Sequence, residues 1–222
     1  FKNIENVIRD ELDKIGAQEV SMPIIHPADI WKKTGRWHEI GKELWRIKNR
    51  ENQDFVLAMT HEEAIAEVAR HYISSLNDLP ALVNQFQIKI RDEERPRGGL
   101  LRLREFVMQD AYSFDRGEKE LDATYKKVVR AYQNIFKRLE IDAVAVKADS
   151  GIMGGSVSHE FMVLSVAGED NLNGQKAIEL GHTFKLGYKY SKPFNIYFEQ
   201  SGKKELVIMG SYGIGLDRLI AA

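Results

Sequence analysis

The segment of residues 86–114, which reads FQIKIRDEERPRGGLLRLREFVMQDAYSF, constrains the fold more than any other part of the chain. Its alternation predicts two β-strands joined by a short basic turn at residues 94–99. Because side chains alternate across a pleat, one face of this hairpin would carry Gln87, Lys89, Arg91, Glu93, Arg102, Arg104, Phe106, Met108, Asp110 and Tyr112. The sequence therefore predicts a sheet surface that combines arginines, carboxylates and an aromatic ring.

This predicted surface has two interpretations. Arginine side chains bind phosphates and carboxylates in a bidentate fashion, and a flat aromatic ring beside them can stack on a base. Alternating charges are, however, also typical of the solvated face of a half-buried sheet. The first interpretation predicts a nucleotide triphosphate that is held on a sheet rather than on a glycine-rich P-loop.

The composition limits the other functions that these residues can have. The hydrophobic fraction of 43% and the charged fraction of 29% are ordinary for a globular domain of 222 residues. Cysteine is absent, which excludes disulfides, zinc–thiolate sites and a cysteine nucleophile within this sequence and favours an intracellular setting, in the cytoplasm or an organellar matrix. No apolar run is long enough to cross a membrane. The net charge of −1 gives no general signal for nucleic acids, so any RNA contact would be local.

Strands and helices alternate along the rest of the chain without repeats. Residues 4–15 have helical spacing and end at Gly16, and a strand that contains Pro23 follows. Further elements are a hairpin at 44–47 and 55–59, a helix that opens at Thr60, a long amphipathic helix at 115–140, and strands at 143–148, 157–166, 178–187, 194–198 and 205–209. This order predicts an α+β fold, a largely antiparallel sheet flanked by helices.

The segment of residues 209–222, MGSYGIGLDRLIAA, is a second candidate ligand site. Glycines at 210, 213 and 215 would let the backbone approach a ligand closely and turn into a helix that carries Arg218. A Gly-x-Gly before a helix is often only a turn. The spacing also differs from that of the dinucleotide-binding fingerprint.

Three segments together resemble the class II aminoacyl-tRNA synthetases. Arg91-x-Glu93, a loop and Arg102-x-x-x-Phe106 resemble motif 2, and the wording RDE-x-RPR-x-G-LLR-x-REF is similar to the prolyl-tRNA synthetases of bacterial or organellar type. Residues 209–222 resemble motif 3, and residues 5–27 resemble motif 1, which builds the homodimer interface in that family. The resemblance implies the class II catalytic fold over residues 1–222, and a homodimer formed through residues 20–25 and their surroundings.

The resemblance also implies which residues bind ATP. Arg91 would contact the α-phosphate and the attacking carboxylate, and Arg218 the γ-phosphate, which makes these two the catalytic candidates. The ATP site would further include Glu93, Arg102, Phe106, Gln109, Gly213 and Gly215, with Phe106 stacked on adenine. Magnesium is expected on the phosphates, although the sequence identifies no ligands for it. Arg95 and Arg97 are the candidates for contact with the acceptor end of tRNA.

The proline pocket implied by the family consists of Thr60, Glu62, Arg91, Asp110, Tyr112, His182, Phe184, Ser211 and Gly213. Two of these have a purely structural alternative. Thr60 and Glu63 fit a capping box at the start of a helix. His182 would lie on an apolar strand face with Ile178, Leu180, Phe184 and Leu186, where a histidine is often a core residue. His159 is expected to be structural rather than a ligand.

The same resemblance predicts a trimmed catalytic core. Family members carry an anticodon-binding domain after motif 3, and many bacterial ones insert an editing domain between motifs 2 and 3; we expect both to be missing, with the insertion site at about residues 169–176. The predicted activity is that of a proline–tRNA ligase. The alternatives are a class II ligase for another amino acid, for which the missing cysteine argues against threonine, and a non-catalytic module.

Overall fold

The computed structural model describes residues 1–149, 151–155 and 157–222. Its helices are α1 (Lys2–Asp13), α2 (Ala28–Thr34), α3 (Arg36–Glu39), α4 (Glu62–Tyr72), α5 (Glu118–Arg138) and α6 (Leu216–Ala221). Its strands are β1 (Gln18–Glu19), β2 (Ile25–Pro27), β3 (Arg46–Lys48), β4 (Asp54–Leu57), β5 (Ala81–Ile90), β6 (Glu105–Asp115), β7 (Val144–Lys147), β8 (Val157–Leu164), β9 (Asp170–Leu172), β10 (Gln175–Gly187), β11 (Tyr197–Gln200), β12 (Lys203–Leu206) and β13 (Ile208–Gly215). Within the described residues, no helix is both long and apolar enough to cross a membrane.

One large sheet organises the molecule, in the order β1-β5-β6-β13-β10-β8-β7, with β9 paired to β10. All of its pairs are antiparallel except β1 with β5. The strands β2, β4 and β3 form a small second sheet, and β11 pairs with β12. The prediction of an α+β fold with a largely antiparallel sheet is therefore confirmed.

The register of the central strands brings distant residues into rows. Tyr112 on β6 lies opposite Ser211 on β13, which lies opposite Phe184 on β10. The next row joins Asp110, Gly213 and His182 in the same way. Because directly opposed residues on neighbouring strands lie within contact distance, three remote segments of the chain meet on one sheet face.

Each face of the sheet has its own core. On one face α5 buries an apolar stripe, as its helical spacing predicts, against α1 and the sheet: Leu121, Tyr125, Val128, Tyr132, Ile135 and Phe136 pack with Ile8, Leu12 and Phe161. On the other face, α2 and α4 pack with Tyr112, Phe114, Tyr190 and Phe198. The sheet therefore has a hydrophobic core on each of its two faces.

The connections and the glycine-rich segment differ from the predictions. Residues 91–104 form one long connection between β5 and β6, so Arg91, Glu93, Arg102 and Arg104 are not strand residues. The glycines of motif 3 do not form a turn, because residues 208–215 are the central strand β13. Gly210 is required there by packing, since an added Cβ would lie 2.8 Å from Ser113 Oγ and closer still to Tyr212 Oη.

Three further expectations about the elements were wrong. The strand predicted around Pro23 is split into β1 and β2, and the strand predicted at 194–198 starts only at Tyr197. The five residues predicted to share a face of β10 do not, because a bulge between Glu179 and Gly181 shifts the register. Ile178 and Leu180 consequently belong to the core beside α5, whereas Leu186 belongs to the core beside α4.

Candidate active site

A cavity of about 350 Å³ opens over the middle of the large sheet. Its walls come from β5, β6, β10 and β13, the connection 91–104, the start of α4 and α6. The predicted site residues that line it are Thr60, Glu62, Arg91, Glu93, Arg102, Phe106, Asp110, Tyr112, His182, Phe184, Ser211, Gly213, Gly215 and Arg218. Residues far apart in the sequence, from Thr60 to Arg218, are thus brought together, and their individual roles stay predictions.

Three predicted residues lie outside this cavity. Gln109 is fully buried on the opposite face of β6, where its Oε1 accepts a hydrogen bond from Tyr132 Oη at 2.8 Å. The prediction that Gln109 binds ATP is wrong on geometry, because strand alternation turns it away from Met108 and Asp110, which line the cavity. Arg95 and Arg97 are exposed on the 91–104 connection, so they do not line the cavity either.

Arginines and an aromatic ring form one part of the cavity wall. The guanidinium of Arg91 lies over the ring of Phe106, 5.0 Å from its centroid. Arg218, on α6, donates from Nη1 to the backbone oxygen of Glu179 at 2.8 Å and to its carboxylate at 3.3 Å. Burial and the neighbouring Arg218 charge both lower the pKa of Arg91. These two cations repel each other, and an anionic ligand between them would relieve that repulsion.

The connection 91–104 is held over this wall by carboxylates. Arg102 donates from Nη1 to Glu93 at 3.1 Å and from Nε to Glu169 at 2.9 Å. Glu169 also accepts from Arg97 Nε at 2.5 Å. The connection is therefore tied to the turn before β9, even though most of its residues are exposed.

Buried acidic residues form another part of the wall, at the start of α4. Glu62 is 3% exposed, and its Oε1 accepts a hydrogen bond from Ser211 Oγ at 2.9 Å. Its other oxygen, Oε2, has no hydrogen-bond partner within the part of the chain that the structure describes. A buried carboxylate oxygen without a donor is unfavourable unless a ligand supplies one. This oxygen is therefore suited to a cationic hydrogen-bond donor.

Arg36, which sequence reasoning missed, organises this acidic wall. It is completely buried, and its Nη1 donates to Thr60 Oγ1 and to both carboxylate oxygens of Glu63 at 2.9–3.0 Å. Thr60 and Glu63 consequently do not form the predicted capping box: α4 begins after His61 without a side-chain cap. Nothing local in the sequence marks Arg36, because its hydrogen-bond partners lie at least 24 residues further along the chain.

Beneath the cavity lies a buried polar network that was also missed. Lys89, 1% exposed, donates to Asp110 Oδ1 at 2.6 Å and to His61 Nδ1 at 2.8 Å. The second oxygen of Asp110 accepts from Tyr112 Oη at 2.6 Å and Gln85 Nε2 at 2.8 Å. Lys89 and Arg91 are two positions apart in an alternating segment, so their side chains were predicted on the same face. This alternation could have indicated that Lys89 belongs to the site.

Burial determines the protonation of this network. Burial raises the pKa of Asp110, and the Lys89 charge opposes this rise. Burial also lowers the pKa of Lys89, and the Asp110 charge opposes this decrease. Burial and the Lys89 charge lower the pKa of His61 to about 2. His61 is therefore neutral and accepts from Lys89, while its Nε2 donates to the Pro23 oxygen at 3.1 Å. The segment around Pro23 is thus connected to the cavity through the network.

His182 lies at the cavity edge, stacked on Phe184 with ring centroids 4.0 Å apart. Its Nε2 is 2.6 Å from Ser158 Oγ and its Nδ1 is 3.2 Å from Glu179. Potential ligand atoms of Glu160, Glu179 and His182 lie within 4.8 Å of one another. The two carboxylates suit a hard cation such as Mg²⁺, which prefers oxygen ligands. His159 lies elsewhere, bonded to Tyr125 Oη at 2.8 Å.

The described wall can therefore hold a ligand with separate anionic and cationic groups. Arg91 and Arg218 suit phosphate or carboxylate oxygens, the Phe106 ring suits a flat base, and Glu62 suits a cation. No nucleophile with an adjacent base is needed for such a ligand to react, if one of its own groups is already ionised.

Comparison with known proteins shows the family and the fold. Residues 45–222 match the family model of the tRNA synthetase class II core domain (G, H, P, S and T). A proline–tRNA ligase of Ehrlichia ruminantium is 40% identical over 265 aligned residues, which cover 100% of this chain and 62% of the relative. A proline–tRNA ligase from Wolbachia of Drosophila simulans is 40% identical over 264 residues, which cover 100% of this chain and 63% of that relative. The chain thus spans less than two thirds of these relatives.

Solved structures share the fold. The Giardia lamblia prolyl-tRNA synthetase in complex with prolyl-adenylate has a TM-score of 0.87 at 18% identity, over 98% of this chain and 44% of that one. The Cryptosporidium parvum enzyme complexed with halofuginone and AMPPNP has a TM-score of 0.85 at 19% identity, over 99% of this chain and 44% of that one.

Proposed function

The chain belongs to the family of class II tRNA synthetase core domains, and from this premise we propose that it activates L-proline with ATP and passes the prolyl group to tRNA(Pro). The carrying observation is a buried Glu62 oxygen that has no hydrogen-bond donor among the described residues, in the cavity that Arg91 and Arg218 also line. An amino acid brings a cation to Glu62 and a carboxylate to Arg91. The names of the curated relatives support proline as that amino acid.

The proposed reaction joins a carboxylate oxygen of proline to the α-phosphorus of ATP, while the bond from that phosphorus to the bridging oxygen breaks and pyrophosphate leaves. Since the carboxylate is already ionised, no general base is required. The barrier comes from repulsion between anions and from charge that grows on the phosphorus, and preorganised cations lower it. Arg91 is assigned to the α-phosphate and the attacking carboxylate, and Arg218 to the γ-phosphate.

Phe106 is assigned to the adenine ring, since it is the half-buried aromatic side chain beside Arg91. Glu93 and Arg102 position the 91–104 connection above the nucleotide. Gly213 and Gly215 let the backbone of β13 approach it. Magnesium, which would neutralise phosphate charge, fits the Glu160 and Glu179 carboxylates.

The amino-acid pocket is assigned to the acidic wall. Glu62 receives the ammonium group, next to Thr60 and Ser211. Asp110 and Tyr112 form the floor, and His182 with Phe184 forms the apolar side, where stacked rings suit a pyrrolidine.

The remaining assignments concern partners and extent. Arg95 and Arg97 are proposed to contact the acceptor end of tRNA, since they are exposed on the connection beside the cavity. A homodimer through residues 20–25 is proposed because Ile25 is 55% exposed at that surface. We assign residues 5–27, 86–114 and 209–222 to motifs 1, 2 and 3. We also propose that the protein is located in the cytoplasm.

ATP–pyrophosphate exchange with each of the twenty amino acids tests the proposal. Exchange with proline alone is the expected result. Exchange with a different amino acid would keep the ligase and refute the assignment of Glu62 and His182 to proline. Binding of ATP without any exchange would favour a non-catalytic module.

A further inference from the structure

The buried cluster of Arg36, Glu62 and Glu63 contains one cation and two carboxylates. Arg36 Nη1 lies 2.9 Å from Glu63 Oε2 and 3.0 Å from Glu63 Oε1, but 3.7 Å from Glu62 Oε2. All three side chains are at most 3% exposed. Arg36 therefore forms hydrogen bonds with Glu63, whereas it lies near Glu62 without a hydrogen bond.

Glu63 engages Arg36 as an ionised carboxylate. Both of its oxygens accept from Arg36, and Oε1 accepts a further hydrogen bond from Thr34 Oγ1 at 2.9 Å. Burial raises the pKa of Glu63, and the Arg36 charge opposes that rise. Burial also disfavours the charge on Arg36, but the two carboxylates outweigh it and raise the pKa of Arg36. Arg36 is held in place by stacking on Trp31, 4.9 Å from the ring centroid.

We infer that Glu63 is a positioning residue for amino-acid binding: it neutralises Arg36 and so keeps the Glu62 carboxylate free for the ammonium group of the substrate. This inference rests on the proposed function. Glu63 itself does not line the cavity, whereas Arg36 and Glu62 do. The availability of the Glu62 carboxylate therefore depends on a residue that does not line the cavity.

The physical reason is competition for one carboxylate. Without the Glu63 charge, Arg36 needs to move by less than about 1 Å to reach hydrogen-bonding distance of Glu62. A substrate ammonium would then have to displace a guanidinium from Glu62. Since hydrogen bonds to charged groups are worth about 1.5–3 kcal/mol, we expect a loss of roughly 10- to 100-fold in affinity for the amino acid.

The test is calorimetric titration of L-proline into the wild-type chain, Glu63→Gln and the control Glu67→Gln. Glu67 lies on the same helix but is more exposed, paired with Lys33 at 2.9 Å. Glu63→Gln should weaken proline binding about 10- to 100-fold and leave ATP unchanged. It should also leave unchanged the binding of tetrahydrofuran-2-carboxylate, in which oxygen replaces the ring nitrogen and no cation is present. Equal losses for both ligands, or none, would overturn the inference.

The double variant Arg36→Met with Glu63→Gln separates charge from folding. It removes both partners of the ion pair, which is usually tolerated better than removal of one, and it leaves Glu62 without a competing cation. We expect it to bind proline within about tenfold of wild type, and more tightly than Glu63→Gln. If Glu63→Gln does not fold, this variant decides the matter, and a larger loss overturns the inference.

Failure of the proposed function gives a different pattern. An ammonium group is common to all amino acids, so the comparison is repeated with whichever amino acid the wild type binds. If it binds none, the proposed function fails, and a crystal structure of Glu63→Gln then tests only the structural part of the inference, that Glu63 keeps Arg36 away from Glu62. Arg36 within hydrogen-bonding distance of Glu62 supports it, and an unmoved Arg36 overturns it.

Discussion

Lys89→Met should destabilise the chain severely, because it leaves the carboxylate of Asp110 buried without its counter-charge. Lys89 and Asp110 are 1% and 3% exposed, and their charged atoms are 2.6 Å apart. Removal of one partner of such a pair typically costs about 3–5 kcal/mol, since the remaining ion cannot regain water. His61 Nδ1 also loses its donor. We therefore expect the free energy of unfolding, measured by urea denaturation at pH 7, to fall by about 3–5 kcal/mol.

The loss should shrink as the pH falls. Burial already raises the pKa of Asp110 in the wild type, and removal of the opposing Lys89 charge raises it further. The folded variant then binds a proton that the unfolded chain releases, so its stability increases towards acid by up to about 1.4 kcal/mol per pH unit. Denaturation at pH 5 should accordingly show a smaller difference from wild type than at pH 7.

Two further variants test the reasoning. Lys48→Met removes a pair of similar length, Lys48 to Asp54 at 2.9 Å, that is exposed, and should leave stability almost unchanged. Lys89→Met with Asp110→Asn removes the unpaired charge and should recover most of the loss. A single variant within about 1 kcal/mol of wild type, or a double variant no more stable than the single one, would refute the argument.

Other predictions concern the site and the core. Arg91→Ala and Arg218→Ala should each slow adenylate formation by at least about a hundredfold in the exchange assay, and a near-normal rate in either would remove that residue from the mechanism. Gly210→Ala should cost about 1–3 kcal/mol in urea denaturation because its Cβ has no room, whereas Gly41→Ala, with nothing within 4 Å, should be neutral. Burial raises the pKa of Asp115 from 3.8 to about 6, so the folded form holds an extra proton between these values. As pH rises from 4 to 6 the wild type should therefore lose about 2 kcal/mol more stability than Asp115→Asn, and parallel pH profiles would contradict this.

Local patterns predicted the elements whose signal lies in neighbouring residues, although not their exact bounds. The long helix α5 and the hairpins β5–β6 and β3–β4 follow from the spacing of apolar residues, which depends only on neighbours along the chain. The alternation on β6 correctly placed Phe106, Met108, Asp110 and Tyr112 on the cavity side. The same alternation places Gln109 on the opposite face of β6, away from the cavity. The sequence alone could therefore have excluded Gln109 from the ATP site.

Other features escaped prediction because they depend on contacts far apart in sequence. The glycines of β13 read as a turn, but close packing against Ser113 and Tyr212 requires glycine at 210 within a central strand. The bulge at Glu179 is equally invisible locally, because it belongs to the pairing with β8. The Thr-x-x-Glu pattern of Thr60 and Glu63 was consistent with a capping box. In the structure, both side chains instead accept hydrogen bonds from the completely buried Arg36.

The sequence by itself determined α1, α4, α5 and α6, most strands, the fold class and the family, because periodicity and motif wording are properties of short segments. It also identified about half of the residues that line the cavity, through their resemblance to the family. Only the tertiary structure decided the charge of the site. Whether a carboxylate is paired or free depends on which cation burial brings beside it, and Arg36 reaches Glu63 across 27 positions of the chain. Arg36 therefore leaves Glu62 Oε2 without a hydrogen-bond donor in the described part of the chain, and no local pattern encodes this.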